Sequence, residues 1–225
     1  MLCYSERMPR PRIHDPDDVL DAAETLAVRS GPAAVTIRAV AAATGVSNGA
    51  LYHTFGSRAE LLGRTWIRAA QRFLEVQGEL VAAAGEPIAQ VVAAGEACVE
   101  FDARYPLSTR LFFTVRRDDL LGEELPDALR EELDAPQRAL VELMKTLARR
   151  LWDRTDAQAV DTLTICLVDL PTAILIERDR LADPVAPQQL RAAIRAVLDI
   201  GPAPRTPKKG NPHAHSQLPR QDRRP

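Results

Sequence analysis

Twenty residues, Thr36 to Phe55 (TIRAVAAATGVSNGALYHTF), constrain this chain more than any other stretch. Thr36 can cap a helix by accepting a backbone N–H, and Ile37, Val40 and Ala41 then recur at helical spacing. Gly45 follows Thr44 where the chain must turn sharply, since glycine takes positive φ without a Cβ penalty. Val46 is apolar and fits beneath that turn. Ser47 caps a second helix that carries Leu51 and Phe55 inward and leaves small or polar residues on its leading face. Two helices joined so tightly, the second free of bulk, match what a DNA major groove admits.

The run Gly45-Val46-Ser47, Leu51-Tyr52, Phe55, Ser57-Arg58 and Leu61-Leu62 resembles the DNA-binding domain of the tetracycline-repressor (TetR) family of bacterial regulators, in order and in spacing. The likeness runs from about Ile13 to Trp66, roughly a quarter of the chain. It implies a homodimer on a partly palindromic double-stranded DNA operator, released when a small molecule enters the C-terminal domain. Carried onto this sequence, Asn48, Gly49 and Ala50 approach base edges. Tyr52, Thr54 and Arg58 approach phosphates, and Arg38 reaches a base or the backbone. The capping hydroxyls Thr36 and Ser47 complete the expected set. Thr54 departs from the longer His or Tyr of many relatives, so its hydroxyl is expected to reach phosphate through water. Gly49 and Ala50 carry no side-chain donor. Their value is close backbone approach, contact with a thymine methyl, or room for Asn48 and Arg38.

Charge is distributed unevenly. Residues 1–70 hold eight Lys/Arg against seven Asp/Glu, residues 71–200 fifteen against twenty-three, and residues 201–225 six against one, giving +1, −8 and +5 within a net −2. A head of +1 steers weakly at long range, so affinity must come from placed contacts doubled through a dimer. Three cysteines (Cys3, Cys98, Cys166) without a C-x-x-C pair fit a reducing, cytoplasmic setting. No stretch is read as approaching the roughly 20 apolar residues of a membrane span, and no membrane partner is expected.

Scarce strand-like alternation, with Ala and Leu dominant, predicts an all-α protein of about nine helices: a three-helix helix-turn-helix head and a helical ligand-binding and dimerisation bundle. The expected organisation is a loose arm over 1–12, a DNA-binding domain over 13–65, a sensing and dimerisation domain over 66–200 and a disordered basic tail over 201–225. Asp15-Pro16 starts the first helix and Gly31-Pro32 stops it. Ser57, with Glu60 three residues on, predicts a capping box opening a long fourth helix whose stripe is Leu62, Trp66, Ala69, Phe73, Val76 and Leu80. A fifth helix starts at Glu86-Pro87, and a short aromatic one spans Leu107 to Val115. Residues 117–125 read as a polar loop. Leu129 to Leu151 keep helical phase across Pro136, predicting one kinked helix. Asp156 to about Arg180 reads as a helix apolar on most sides, and Gln188 to Ile200 as the last; both are expected to pair with their symmetry mates in the dimer.

Trp66, Phe101, Tyr105, Phe112 and Phe113 are candidates to line a cavity for a largely apolar effector, joined by Thr164 and Asp169 as polar groups on an otherwise apolar helix. Each aromatic taken singly also reads as plain core. Asp169 has the alternatives of pairing across the dimer or capping the break at Pro171. Cys98 and Cys166 read as core thiols. Of the histidines only His213 and His215 approach metal-ligand spacing, without a supporting cluster, so no metal or cofactor is expected. No nucleophile elbow, Walker or dinucleotide fingerprint occurs, which argues against an enzyme. The competing class is a helical binding protein or enzyme that keeps the scaffold without regulating genes.

Overall fold

The computed structural model describes residues 15–121 and 125–204, and every regular element among them is helical. The expected arm over 1–12 lies outside the described residues, as does all but the start of the expected tail. Helix α1 (Pro16–Ser30) opens where Asp15 accepts the Asp17 N–H at 3.0 Å, and ends at Gly31 with φ of 84°. A short 3₁₀ turn, Pro32–Ala34, leads to α2 (Ile37–Thr44) and α3 (Asn48–Phe55). Val19, Ala23, Val40, Leu51 and Phe55 close the interior of this head.

Helix α4 (Arg58–Ala83) follows at once, and at about 1.5 Å per residue its 26 residues run about 39 Å out of the head. Ser57 Oγ accepts the Glu60 N–H at 3.1 Å, but the reciprocal half of the expected capping box is absent: Ser57 N already donates to the Phe55 carbonyl at 3.0 Å. The Glu60 carboxylate instead lies against Gly56, which holds φ of 78°. Helices α5 (Pro87–Arg104) and α6 (Pro106–Thr114) pack on α4, with α6 also against α1. The stretch read as a polar loop contains a further short helix, α7 (Arg117–Leu121). Local Asp and Arg content suggested a loop; Leu120, buried in the first core, gives the turn something to pack on.

Helix α8 (Asp127–Trp152) is continuous through Pro136, as the unbroken phase of its leucines predicts. Its two halves serve different interiors. Leu129 and Leu133 join the core that contains the head, whereas Met144, Leu147 and Ala148 join a second core. That second core lies between α4, α5, α8, α9 (Ala157–Ile176) and α10 (Ala186–Ile200).

Helix α9 departs from the simple expectation. It is α-helical over Ala157–Thr164, then passes through π turns at Ile165–Asp169 and Thr172–Ile176. Pro171 lacks the N–H that an α-helix would donate to residue 167, so the ladder shifts to bonds five residues long, such as Glu177 N to Thr172 O at 2.9 Å. By length and composition α9 is also apolar enough to cross a bilayer, at mean hydropathy 1.8, which corrects the reading that no stretch approaches a span. Its few charges, Asp161 and Asp169, are too widely spaced to interrupt a run of 20 residues. Leu163, Cys166, Leu167 and Leu175 pack inward, while Asp161 and Asp169 face out. This is the polarity of a protein-packed helix.

Candidate nucleic-acid interface and cavity

Local chemistry builds the head's outer face. Thr36 Oγ1 accepts the Ala39 N–H at 3.0 Å and Ser47 Oγ accepts the Ala50 N–H at 3.2 Å, fixing the starts of α2 and α3. Between them Gly45 sits in the left-handed region (φ 75°, ψ 6°), where its N–H closes on the Ala41 carbonyl at 2.8 Å. Thr44 secures the turn twice, donating to the Val40 carbonyl at 2.8 Å and accepting the Val46 N–H at 3.3 Å.

With Leu51 and Phe55 buried, α3 presents the rest of its residues to solvent. Thr36, Arg38, Ser47, Asn48, Gly49, Ala50, Tyr52 and Thr54 are all exposed. Tyr52 is 56% exposed, a large fraction for an aromatic ring that has a core beside it. The capping hydroxyls keep their own O–H protons to donate. Arg58 differs: its Nη2 donates to the Pro32 carbonyl at 2.9 Å, tying the start of α4 to the 3₁₀ turn, and it is only half-exposed. His53 was missed. It stands three and four residues after Ala50 and Gly49, a spacing that places it on the same outward face, and it is exposed.

Beyond the head a cavity of about 350 Å³ opens between α4, α5, α6, α8 and α9. An adjoining chamber of about 630 Å³ shares Trp66, Phe73, Phe112 and Leu140 with it and reaches Pro136 on α8. Trp66 is fixed by an indole N–H to the Val115 carbonyl at 3.0 Å. Phe112 packs 5.4 Å from Trp66 and 5.2 Å from Phe73, nearly parallel to the latter. Of the residues named from sequence, Trp66, Phe112 and Phe113 therefore line this space.

Four do not. Phe101 is wholly buried and meets Phe73 edge-on behind the wall, at 5.4 Å. Tyr105 faces a separate surface cleft, with the Arg72 guanidinium 5.0 Å over its ring. Thr164 donates to the Val160 carbonyl at 3.0 Å and lies near the Met144 sulfur, away from the cavity. Asp169 is exposed on the outer side of α9. Phe73, Gln77 and Leu140 were not singled out, although Phe73 stands seven residues after Trp66 and Gln77 interrupts the same apolar stripe.

Burial pushes the thiols of Cys98 and Cys166 up to about 12. At neutral pH both stay protonated and behave as apolar wall and core groups. Among the described residues no cluster of three His, Cys, Asp or Glu could hold a metal ion.

Residues 19–65, which span the head and the start of α4, match the family of bacterial regulatory proteins designated tetR. The chain thus carries a tetR-family domain at residues 19–65. Its fold extends the match. A TetR-family transcriptional regulator, PfmR of Thermus thermophilus, superposes with a TM-score of 0.60 at 22% identity, over 80% of this chain and 97% of that one. A TetR-like transcriptional regulator from Rhodococcus sp. RHA1 gives 0.60 at 21% identity, over 86% and 99%. A tetR-family regulatory protein from Rhodococcus RHA1 gives 0.61 at 15%, over 84% and 98%. Curated protein sequences give no match. The fold is the one these regulators share, and within the matched bacterial regulatory domain α2 and α3 form the helix-turn-helix.

Proposed function

We propose that this tetR-family protein is a homodimeric repressor that leaves a partly palindromic operator when a largely apolar small molecule fills the cavity beneath its head. The observation that carries the reading is the path of α4. It starts three residues after α3 ends, and its Trp66, Phe73 and Gln77 form one wall of the cavity. A ligand that displaces that wall acts on the element to which α3 is attached, and a difference in affinity between the two arrangements shifts their populations.

In this reading Asn48, Gly49, Ala50 and Arg38 meet base edges, and Thr36, Ser47, Tyr52 and Thr54 meet phosphate. Arg58 serves first as the bracket between α4 and the 3₁₀ turn. Residues 13–65 act as the DNA-binding unit and 66–200 as the sensing and dimerising one. Helices α9 and α10 supply the dimer contact, where Val160, Ile165, Ile174 and Val197 are only half-buried within one chain and Ile200 is 86% exposed. A second copy covering these faces would set the two α3 helices about 34–36 Å apart, one DNA turn.

Selection of bound sites from random duplex DNA at fixed salt tests the proposal. The expected product is an inverted repeat with half-sites one turn apart, bound by a dimer in sedimentation, and Asn48→Ala and Arg38→Ala should each weaken it more than bulk DNA. Recovery of no enriched site, or of a site bound by a monomer, overturns it.

A further inference from the structure

Resting on the cavity being the effector site, we propose that its ligand is an amphipathic acid: an apolar body held among the aromatic rings, with one carboxylate at Arg116. The charge pattern of the wall argues for this. Among the described residues lining the two chambers there is no Asp or Glu, while two adjacent arginines, Arg116 and Arg117, line both. A solvated mouth with cations and no carboxylate disfavours a cationic ligand and favours an anionic one.

The two arginines are not equivalent. Arg117 Nη1 is already 3.2 Å from the Asp134 carboxylate, so its charge is matched within the protein. Arg116 is exposed and forms no ion pair among the described residues. A guanidinium offers a planar fork that suits a carboxylate better than any neutral acceptor. It adjoins Val115, whose carbonyl anchors the Trp66 indole, so the anion site and the aromatic wall are held by neighbouring residues of one segment.

Apart from the two arginines the lining is uncharged. Phe73, Phe112, Phe113 and Leu140 are apolar, and burial keeps the Cys98 thiol neutral. Gln77, the polar group there, donates its side-chain amide to the Ala94 carbonyl at 3.0 Å. An acyl chain or an aromatic skeleton can occupy this region without leaving a buried charge unpaired. The two chambers, about 350 and about 630 Å³, each fall within the about 300–1,000 Å³ usual for small-molecule sites.

The test uses the full chain, sodium dodecanoate and methyl dodecanoate, with binding followed by calorimetry below the micelle threshold. The acid should bind at least about tenfold more tightly than the ester, which keeps the chain and a carbonyl but cannot form the charge-assisted pair. Arg116→Gln should bring that ratio to about one, and Arg116→Lys should retain part of it. Equal binding of acid and ester, or a preference that Arg116→Gln leaves unchanged, overturns the acid assignment while leaving an apolar effector site standing. Binding of neither probe counts against the cavity reading itself.

Discussion

Gly95 offers a quantitative test of how the second core is assembled. A Cβ built there would stand 2.6 Å from Ile194 Cδ1 on α10 and 2.9 Å from the Cys166 carbonyl oxygen on α9. Ordinary carbon contacts sit at about 3.5–4.0 Å, so both neighbours would have to withdraw. Ile194 can rotate its terminal methyl. The Cys166 oxygen cannot move alone, because it belongs to the main chain of the first π turn.

Overpacking of this kind costs about 1–3 kcal/mol, and the immovable carbonyl puts Gly95→Ala near the upper end. Alanine is the better helix former by about 0.8–1.0 kcal/mol, which offsets part of that. The expected net loss is about 2 kcal/mol, or about 4–8 °C in Tm for a chain of this size. Urea unfolding should show a lower midpoint with an unchanged m-value. Adding Ile194→Val removes one of the two contacts, so it should cost less in the Gly95→Ala background than the about 0.5–1.5 kcal/mol expected in wild type. A Gly95→Ala protein as stable as wild type would show that α5 and α9 are not held at the separation described.

The ion cluster joining α1 to α4 gives a second test. Arg68 Nη2 lies 3.1 Å from Glu24 and 2.7 Å from Asp21, and the Glu24 side chain is only 4% exposed. Arg68→Met should destabilise by about 3 kcal/mol, the low end for a broken buried pair, because Arg72 remains 3.5 Å from Glu24; a loss under about 1 kcal/mol in denaturant unfolding would contradict this. At Gly45 a Cβ meets no neighbour within 4 Å, so the expected cost is conformational alone. Gly45→Val should therefore lose more than the about 1–2 kcal/mol of a left-handed residue, and Gly45→Asn should lose less; equal melting temperatures would refute it. With thiols raised to about 12, Cys98 and Cys166 hold thiolate at only about one part in ten thousand at pH 8. Iodoacetamide should leave both unmodified in the folded protein and alkylate both in guanidinium, as read by peptide mass spectrometry, and labelling of either under native conditions would rule out the buried placement.

The head was legible because its determinants are local. Thr36, Ser47 and Ser57 each cap the helix that follows, and Gly45 adopts the positive φ that a sharp turn demands. The cavity was less legible because lining depends on helix rotation. Phe73 and Phe101 are both apolar residues on apolar faces, and only the relative turn of α4 and α5 puts one ring in the wall and the other behind it. Asp169 shows a different difficulty. Each π turn inserts a residue into the helical count, so faces assigned at about 100° per residue slip out of phase beyond Ile165. A carboxylate flanked in sequence by apolar residues consequently emerges on the outside. Glu24 reverses the case, being a carboxylate on an apparent polar face that is buried by arginines from α4.

The way α8 is shared between two interiors bears on how such proteins can be recombined. Its first half, with Leu111 of α6, completes the apolar interior of the head. A fragment cut after residue 65 would lose Leu111, Leu129 and Leu133 from that interior, and with them the packing of Leu129 against Gly63 of α4. Transplanting the head onto another helical body would thus require carrying the opening turns of α8 and the whole of α6 along with it, so the modular unit is larger than residues 19–65 alone.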